Sequence, residues 1–248
     1  ALIALSGLTM AIKQAAQNPA TALAALAAAA VGAWLFVRRQ HRLADPLLTF
    51  DIFRSRLFTG GVLAAAGGMF VLAGAELMTT QKLQLVDALT PLAAGATVAV
   101  MALSAIPASV LGGAYLHKIG FLPLIAGGFF GAVVGAVALA TGWTSIGMVL
   151  LGLSAGLVMS VSSIAIIGSA PMHRSGMAAG VEEVSYELGT LITVALTGSL
   201  LQAALDRGAD YTAAYNQVIG VLAAGAACFA VATWWCFRDN PKSGGVDA

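Results

Sequence analysis

The segment GMAAGVEEVSYELGTLITVALTGSLLQ, residues 176–202, decides the fold class of this chain. It is long and apolar enough to cross a bilayer as a helix, which takes about 20 predominantly apolar residues. It nevertheless carries Glu182, Glu183 and Glu187. Ionisable groups inside a membrane span are costly to bury and usually serve a function. The segment therefore predicts a membrane helix with functional carboxylates.

The other acidic residues support this interpretation. The fourth and last glutamate of the chain, Glu76, also lies in a long apolar run, whereas all seven aspartates fall in predicted loops or in the tail. A soluble surface would not separate its two acids in this way. We therefore interpret the glutamates as working parts of a membrane transporter.

The amino-acid composition limits the kinds of protein that this chain can be. Of its 248 residues, 59% are hydrophobic and 9% are charged, whereas a soluble domain has about 25% charged residues. We therefore expect an all-α polytopic membrane protein. A net charge of +1 argues against a nucleic-acid partner. Cys228 and Cys236 have no metal-ligand spacing, so no metal or other cofactor is expected.

Hydropathy divides the chain into four regions. We predict two helices in residues 1–37, of which the first is partial, a basic cytoplasmic connector at 38–56, six spans within 57–237 and a cytoplasmic tail at 238–248. The predicted spans cover residues 57–79, 91–115, 121–141, 143–167, 176–202 and 215–237. Polar loops are expected at 80–90 and 203–214. Because residue 1 is already apolar, we expect the chain to be one part of a larger protein.

The basic residues predict the orientation of the helices. Nine of the twelve Lys and Arg residues fall on one side of the predicted topology, together with the C-terminus, and three fall on the other. Because cytoplasmic loops carry the excess of Lys and Arg, the side with nine is expected to be cytoplasmic. Glycines spaced four apart, as at Gly127, Gly131 and Gly135 and at Gly152 and Gly156, predict close helix packing.

The glutamates occupy two faces of the predicted helix. Glu183 and Glu187 are four residues apart and share one face, and Glu182 and Tyr186 share another. A carboxyl group in an apolar, partly hydrated place is harder to ionise. It therefore carries a proton when neutral and attracts a cation when charged. By their depth, Glu183 and Glu187 are the expected proton-coupling pair, with Glu182 assisting.

Three stretches carry a resemblance to a known family. The motif AGVEEVSYELG at 179–189 resembles the thirteenth helix of the 14-span drug:proton antiporters of the major facilitator superfamily. AGAEL at 73–77, with QKLQ at 81–84 and LTPLAAG at 89–95, resembles the ninth helix and the loop after it. DPLL at 45–48, ahead of Phe53 and Arg54, resembles the preceding loop. The similarity is to exporters of methyl viologen and quaternary ammonium biocides.

The resemblance implies an architecture and an activity. Residues 1–37 would be two linker transmembrane helices and 57–237 the six-helix C-terminal domain of the superfamily. The family exports lipophilic cations in exchange for protons, with the proton gradient as its energy source and an N-terminal half as partner. It implies that Glu182, Glu183 and Glu187 serve proton coupling or cation attraction. It also implies a multi-pass protein of the bacterial inner membrane with a cytoplasmic C-terminus.

The expected substrates are cationic amphiphilic molecules. Glu76 is expected to attract the cation near the outer end of its span, with Tyr186, Phe70 and Met69 supplying apolar contacts. Two alternatives stay open, namely an exporter of a lipid or other amphiphile and a non-transporting membrane subunit or scaffold. An enzyme is not expected, because no Ser/His/Asp set or metal cluster is recognisable at membrane depth.

Overall fold

The computed structural model describes residues 7, 10, 19–40 and 50–238, and all regular structure within them is helical. The chain divides into two compact units, residues 1–52 and 53–248. The division falls inside the predicted connector at 38–56. Apart from residues 7 and 10, the predicted partial helix at 1–16 lies outside the described residues, as do 41–49 and the tail at 239–248.

The first unit contains helix α1, Pro19–Gln40. Its proline start suits the first position of a helix, where the missing N–H group costs nothing. Its bounds agree closely with the span predicted at 20–37, and it contains the apolar stretch Leu23–Leu35. That this helix crosses the membrane stays a prediction.

The second unit contains six long helices. They are α2 (Arg56–Leu85), α3 (Pro91–Ile119), α4 (Phe121–Ala140), α5 (Thr144–Gly168), α6 (Ser175–Asp206) and α7 (Tyr211–Phe237). Each is long and apolar enough to cross a membrane. The predicted all-α polytopic membrane fold is thus confirmed. Two short 3-10 helices, Phe50–Arg54 and Met172–Arg174, precede α2 and α6.

Side-chain caps fix three of the helix starts. Ser55 accepts a hydrogen bond from the Phe58 amide at 3.3 Å, and Thr90 accepts one from the Ala93 amide at 3.3 Å. Asp210 accepts one from the Ala213 amide at 3.4 Å. Each cap satisfies an amide that has no partner within its helix, so these boundaries follow from the local sequence.

The connections on the predicted outer side are shorter than the sequence suggested. The loop predicted at 80–90 is wrong in its first half, because α2 continues to Leu85. The loop predicted at 203–214 is also wrong at both ends, since α6 runs to Asp206 and α7 begins at Tyr211. Polar side chains such as Gln81 and Asp206 lie on these last helical turns, where hydropathy indicated loops.

The six helices pack as two equivalent sets of three. α2 and α5 pack against each other; α6 packs on α2, and α3 packs on α5. α7 packs on α2, α4 packs on α5, and α4 and α7 pack together. If α2, α3 and α4 are exchanged with α5, α6 and α7, respectively, each of these packed helix pairs becomes another pair of the same set. The unit therefore has an internal pseudo-two-fold arrangement, of the kind that transporters build from repeats.

Glycines set the closest helix contacts. A Cβ atom at Gly152 would overlap the carbonyl group of Met101 on α3, and one at Gly156 would overlap that of Ala105. The packing predicted for this pair is therefore observed. Gly131 and Gly135 also face α5, but a Cβ atom at Gly127 would meet no atom of the described residues within 4 Å. The packing role predicted for Gly127 is wrong, because its direction on α4 points away from α5.

We expect Gly156→Ala to destabilise the protein, because the added methyl group meets backbone that cannot rotate away. Overpacking of this kind costs about 1–3 kcal/mol. Thermal unfolding in detergent, followed by circular dichroism, should show a lower midpoint. Gly127→Ala is the matched control and should leave the midpoint unchanged or raise it, since alanine favours the helix over glycine. Equal midpoints for the two variants would contradict the packing described here.

Candidate functional site

Glu182 is the buried glutamate of α6. Its side chain is 8% exposed, and its Oε1 atom accepts a hydrogen bond of 2.7 Å from the Tyr186 hydroxyl, one helical turn later. Hydrogen bonds to a charged carboxylate are among the stronger ones in proteins. The shared face predicted for Glu182 and Tyr186 is therefore observed as a direct bond.

The Tyr186 hydroxyl also lies near a second helix. The side chain of Ser162, fully buried on α5, is close to that hydroxyl. The Ser162 hydroxyl itself donates to the Met159 carbonyl at 3.0 Å. Tyr186, predicted as a substrate contact, thus has its hydroxyl group bonded to Glu182.

Glu183 and Glu187 lie on a different face of α6, where both are exposed on this unit. The two share a face, as their spacing predicts. Their depth along the helix had favoured them over Glu182 as the proton-coupling pair, but Glu182 is the most buried of the three glutamates. The reason is the rotation of α6 about its axis. A Cβ atom at Gly189 would overlap the Ala66 carbonyl on α2, and this contact turns the side of Glu182 inward.

The buried face of α6 is unusually polar, and the sequence analysis missed it. Ser185, Thr193 and Thr197 are buried on the same face as Glu182. Thr197 donates to the Thr193 carbonyl at 2.7 Å, while the Thr193 hydroxyl, against Gly74 of α2, has no hydrogen-bond partner among the described residues. The recurrence of small polar residues every three to four positions was the signal that identifies this face.

Glu76 lies in a groove between α2 and α3. The groove has a volume of about 430 Å³. Its lining comprises Leu72, Glu76, Thr80, Gly95, Val98, Ala99, Met101, Ala102 and Ala105. The lining thus contains one carboxylate, one hydroxyl group and otherwise apolar or small residues. Such a composition and size suit an apolar ligand with a positive charge.

Glu76 lies farther from the end of its helix than the sequence suggested. Because α2 ends at Leu85, Glu76 precedes the end of its helix by nine residues, or about 14 Å at 1.5 Å per residue. The helix thus ends about two turns beyond the predicted span end at residue 79, and the place of Glu76 near the outer end of the span stays a prediction.

The two apolar residues predicted beside Glu76 have different positions. Met69 is partly exposed on α2. Phe70 is 6% exposed, and its ring lies 5.8 Å from that of Phe229 on α7. Phe70 therefore packs in the core between α2 and α7, because it lies about 100° further around the helix than Met69.

A second polar cluster joins the C-terminal end of α2 to the start of α7. Thr79 and Tyr215 share a buried hydrogen bond of 3.0 Å, and Tyr211 donates to Gln81 at 3.2 Å. Lys82 forms an ion pair with Asp87 at 3.2 Å. These contacts satisfy polar groups on the predicted outer side.

Within the described ranges, no group of three or more His, Cys, Asp or Glu side chains is placed to hold a metal ion.

Comparison with known proteins gives several relatives, although no family model matches the chain. The multidrug efflux pump LfrA of Mycolicibacterium smegmatis is 33% identical over 94% of this chain and 50% of the pump. The methyl viologen resistance protein SmvA of Salmonella typhimurium is 30% identical over 67% of the chain and 35% of its own length. The drug efflux pump JefA of Mycobacterium tuberculosis is 30% identical over 80% of this chain and 40% of its own length.

These relatives confirm the resemblance to drug exporters. The chain spans half the length of LfrA and less of the other two. What the relatives have in common by name is drug efflux or resistance, not an enzymatic activity.

Proposed function

Because this chain is a homologue of multidrug efflux pumps, we propose that it forms the C-terminal half of an antiporter that exports lipophilic cations in exchange for protons. The observation that carries the proposal is a carboxylate, Glu182, buried inside a membrane helix and bonded to Tyr186. In a transporter such a group serves a proton or substrate pathway more often than it serves stability.

Proton exchange is assigned first to Glu182. When ionised, its carboxylate accepts the bond from Tyr186, and when protonated it becomes neutral and suits the apolar surroundings better. Glu183 and Glu187, exposed on the adjacent face, complete the proton-coupling set by attracting protons or cations.

Cation binding is assigned to the groove of Glu76. Its single carboxylate would attract a positive charge, and its apolar lining would hold the lipophilic body of the same molecule. Quaternary ammonium biocides and compounds like methyl viologen have this chemistry, and one relative is named for methyl viologen resistance. Met69, partly exposed on α2, would add an adaptable contact.

The expected orientation follows from charge. The ends of α1, α3 and α7 and the start of α2 carry the basic residues Arg38, Lys118, Arg238 and Arg56. With these ends in the cytoplasm, a proton would enter from the side on which α6 ends, and the cation would leave there. We therefore place the chain in the bacterial inner membrane with a cytoplasmic C-terminus.

Efflux from cells tests the proposed function. A transporter site of this kind lies between two pseudo-symmetric halves, and the chain spans half of LfrA. We expect cells that express the chain alone to accumulate ethidium like control cells. Co-expression with the N-terminal half should restore energy-dependent efflux, and a protonophore should abolish it. Full efflux by residues 1–248 alone, or efflux that a protonophore leaves unchanged, would contradict the proposal.

A further inference from the structure

The end of the six-helix unit where α2 begins and α7 ends carries two arginines stacked on tryptophans. The Arg56 guanidinium lies 5.2 Å from the centre of the Trp235 ring, and that of Arg238 lies 5.6 Å from the Trp234 ring. The first pair joins two helices, whereas the second lies within one turn of the α7 end. Stacking of this kind holds a planar guanidinium group in a defined orientation.

Core packing holds the two helix ends together. A Cβ atom at Gly60 of α2 would lie 2.8 Å from the ring of Phe237 on α7, so the two helices approach closely there. The Phe237 ring also stacks on Phe121 of α4, with 5.9 Å between ring centres. The neighbouring Arg56 and Trp235 are therefore positioned by buried contacts and not only by each other.

The pairs are also accessible. Trp234 and Trp235 are 47% and 56% exposed, and both arginines are exposed. Amphipathic indole rings favour the headgroup level of a bilayer. A guanidinium group matches the oxygen atoms of a phosphate group with parallel N–H donors. Rings that favour the headgroup level thus lie beside guanidinium groups that can bind a phosphate group.

Local charge favours an anion at this end. Arg54, also exposed, lies two residues before Arg56. Two acids, Asp51 and Asp239, are near these arginines in the sequence, so the segments 51–56 and 238–239 carry three positive and two negative charges. The N-terminus of α2, capped by Ser55, adds the positive end of a helix dipole.

We propose that this end of the unit is a binding site for the headgroup of an anionic phospholipid. Arg56 and Arg238 bind the phosphate group, and Trp234 and Trp235 pack beside the glycerol and the first acyl carbons. The site is separate from the carboxylates of α6 and from the groove of Glu76. It does not depend on the proposed transport activity.

Lipid retention tests this site directly. The purified full chain is delipidated in detergent and titrated with phosphatidylglycerol or with phosphatidylcholine of the same acyl chains, and bound lipid is counted by native mass spectrometry. We expect a preference of about 25-fold for phosphatidylglycerol, at about fivefold for each of the two arginines. The double variant Arg56→Gln/Arg238→Gln should lose it. The variant Arg56→Lys/Arg238→Lys should keep part of it, because charge remains while the planar fork is lost.

Two control variants distinguish binding at this site from attraction of the lipid by positive charge elsewhere on the protein. Arg207→Gln, at the opposite end, and Lys118→Gln, at the same end but over Tyr115, should both leave the preference unchanged. Equal unfolding midpoints in phosphatidylcholine exclude loss of fold in the double variant. Equal retention of both lipids by the unchanged chain, an unchanged preference in the double variant, or an equal drop with Arg207→Gln would each overturn the proposal.

Discussion

Glu182→Gln should abolish proton-driven efflux while the protein stays folded. The glutamine amide occupies nearly the same volume and still accepts the hydrogen bond from Tyr186, but it cannot take up or release a proton. Removing the charge of a buried side chain lowers its desolvation cost, so no loss of fold is expected. Loss of a proton-transfer group usually costs about 100-fold or more. The measurement is substrate-induced proton release from vesicles that contain this chain together with the N-terminal half.

Comparison with the exposed carboxylates makes this prediction specific. Glu183→Gln and Glu187→Gln should each reduce proton release less than Glu182→Gln, because both side chains are exposed on this unit. Tyr186→Phe keeps the ring but removes the donor, and should weaken exchange by about tenfold, the usual worth of a hydrogen bond to a charged group. If Glu183→Gln or Glu187→Gln abolishes exchange while Glu182→Gln retains it, Glu182 is not the proton carrier.

Glu76→Gln should impair export of dications more than export of monocations. Coulomb energy is proportional to the charge of the ligand, so a loss of about fivefold in affinity for a monocation becomes about 25-fold for a dication with both charges in the groove. Binding of tetraphenylphosphonium and of methyl viologen to the reassembled transporter gives the two affinities. Proton release driven by the monocation should persist.

The control for this experiment is a change that keeps the charge. Glu76→Asp should retain most of the affinity for both ligands, and Asp87→Asn, an acid outside the groove that pairs with Lys82, should retain it too. An equal loss for both ligands in Glu76→Gln, with proton release gone, would move Glu76 into the proton-coupling set. It would also remove the groove as the proposed cation site.

The sequence was sufficient to predict the helices but not their rotation. Apolar runs broken by turn residues located all six helices of the second unit, because a bilayer requires that pattern. Their ends were misplaced at Leu85 and Asp206, since polar residues on a last helical turn look like loop residues in a hydropathy profile.

Which glutamate is buried could not be read from depth along the helix. Burial depends on the face that a neighbouring helix covers, and the contact between Gly189 and Ala66 determines that face. The small residues Ala178, Ser185 and Gly189 lie on the same side as Glu182 and were the available sign. Rotation also determines the surroundings of Phe70, which lies about 100° around α2 from Met69 and packs in the core against Phe229.

The small side chains that line the groove have a consequence for the evolution of resistance. Gly95, Ala99, Ala102 and Ala105 face the space beside Glu76, and none of them carries charge. A single base change turns an alanine or glycine codon into a valine codon, so each position is one mutation away from a narrower groove with the same carboxylate. In the transporter proposed above, selection by a new biocide could thus change the shape of the groove step by step, without altering the carboxylates of α6.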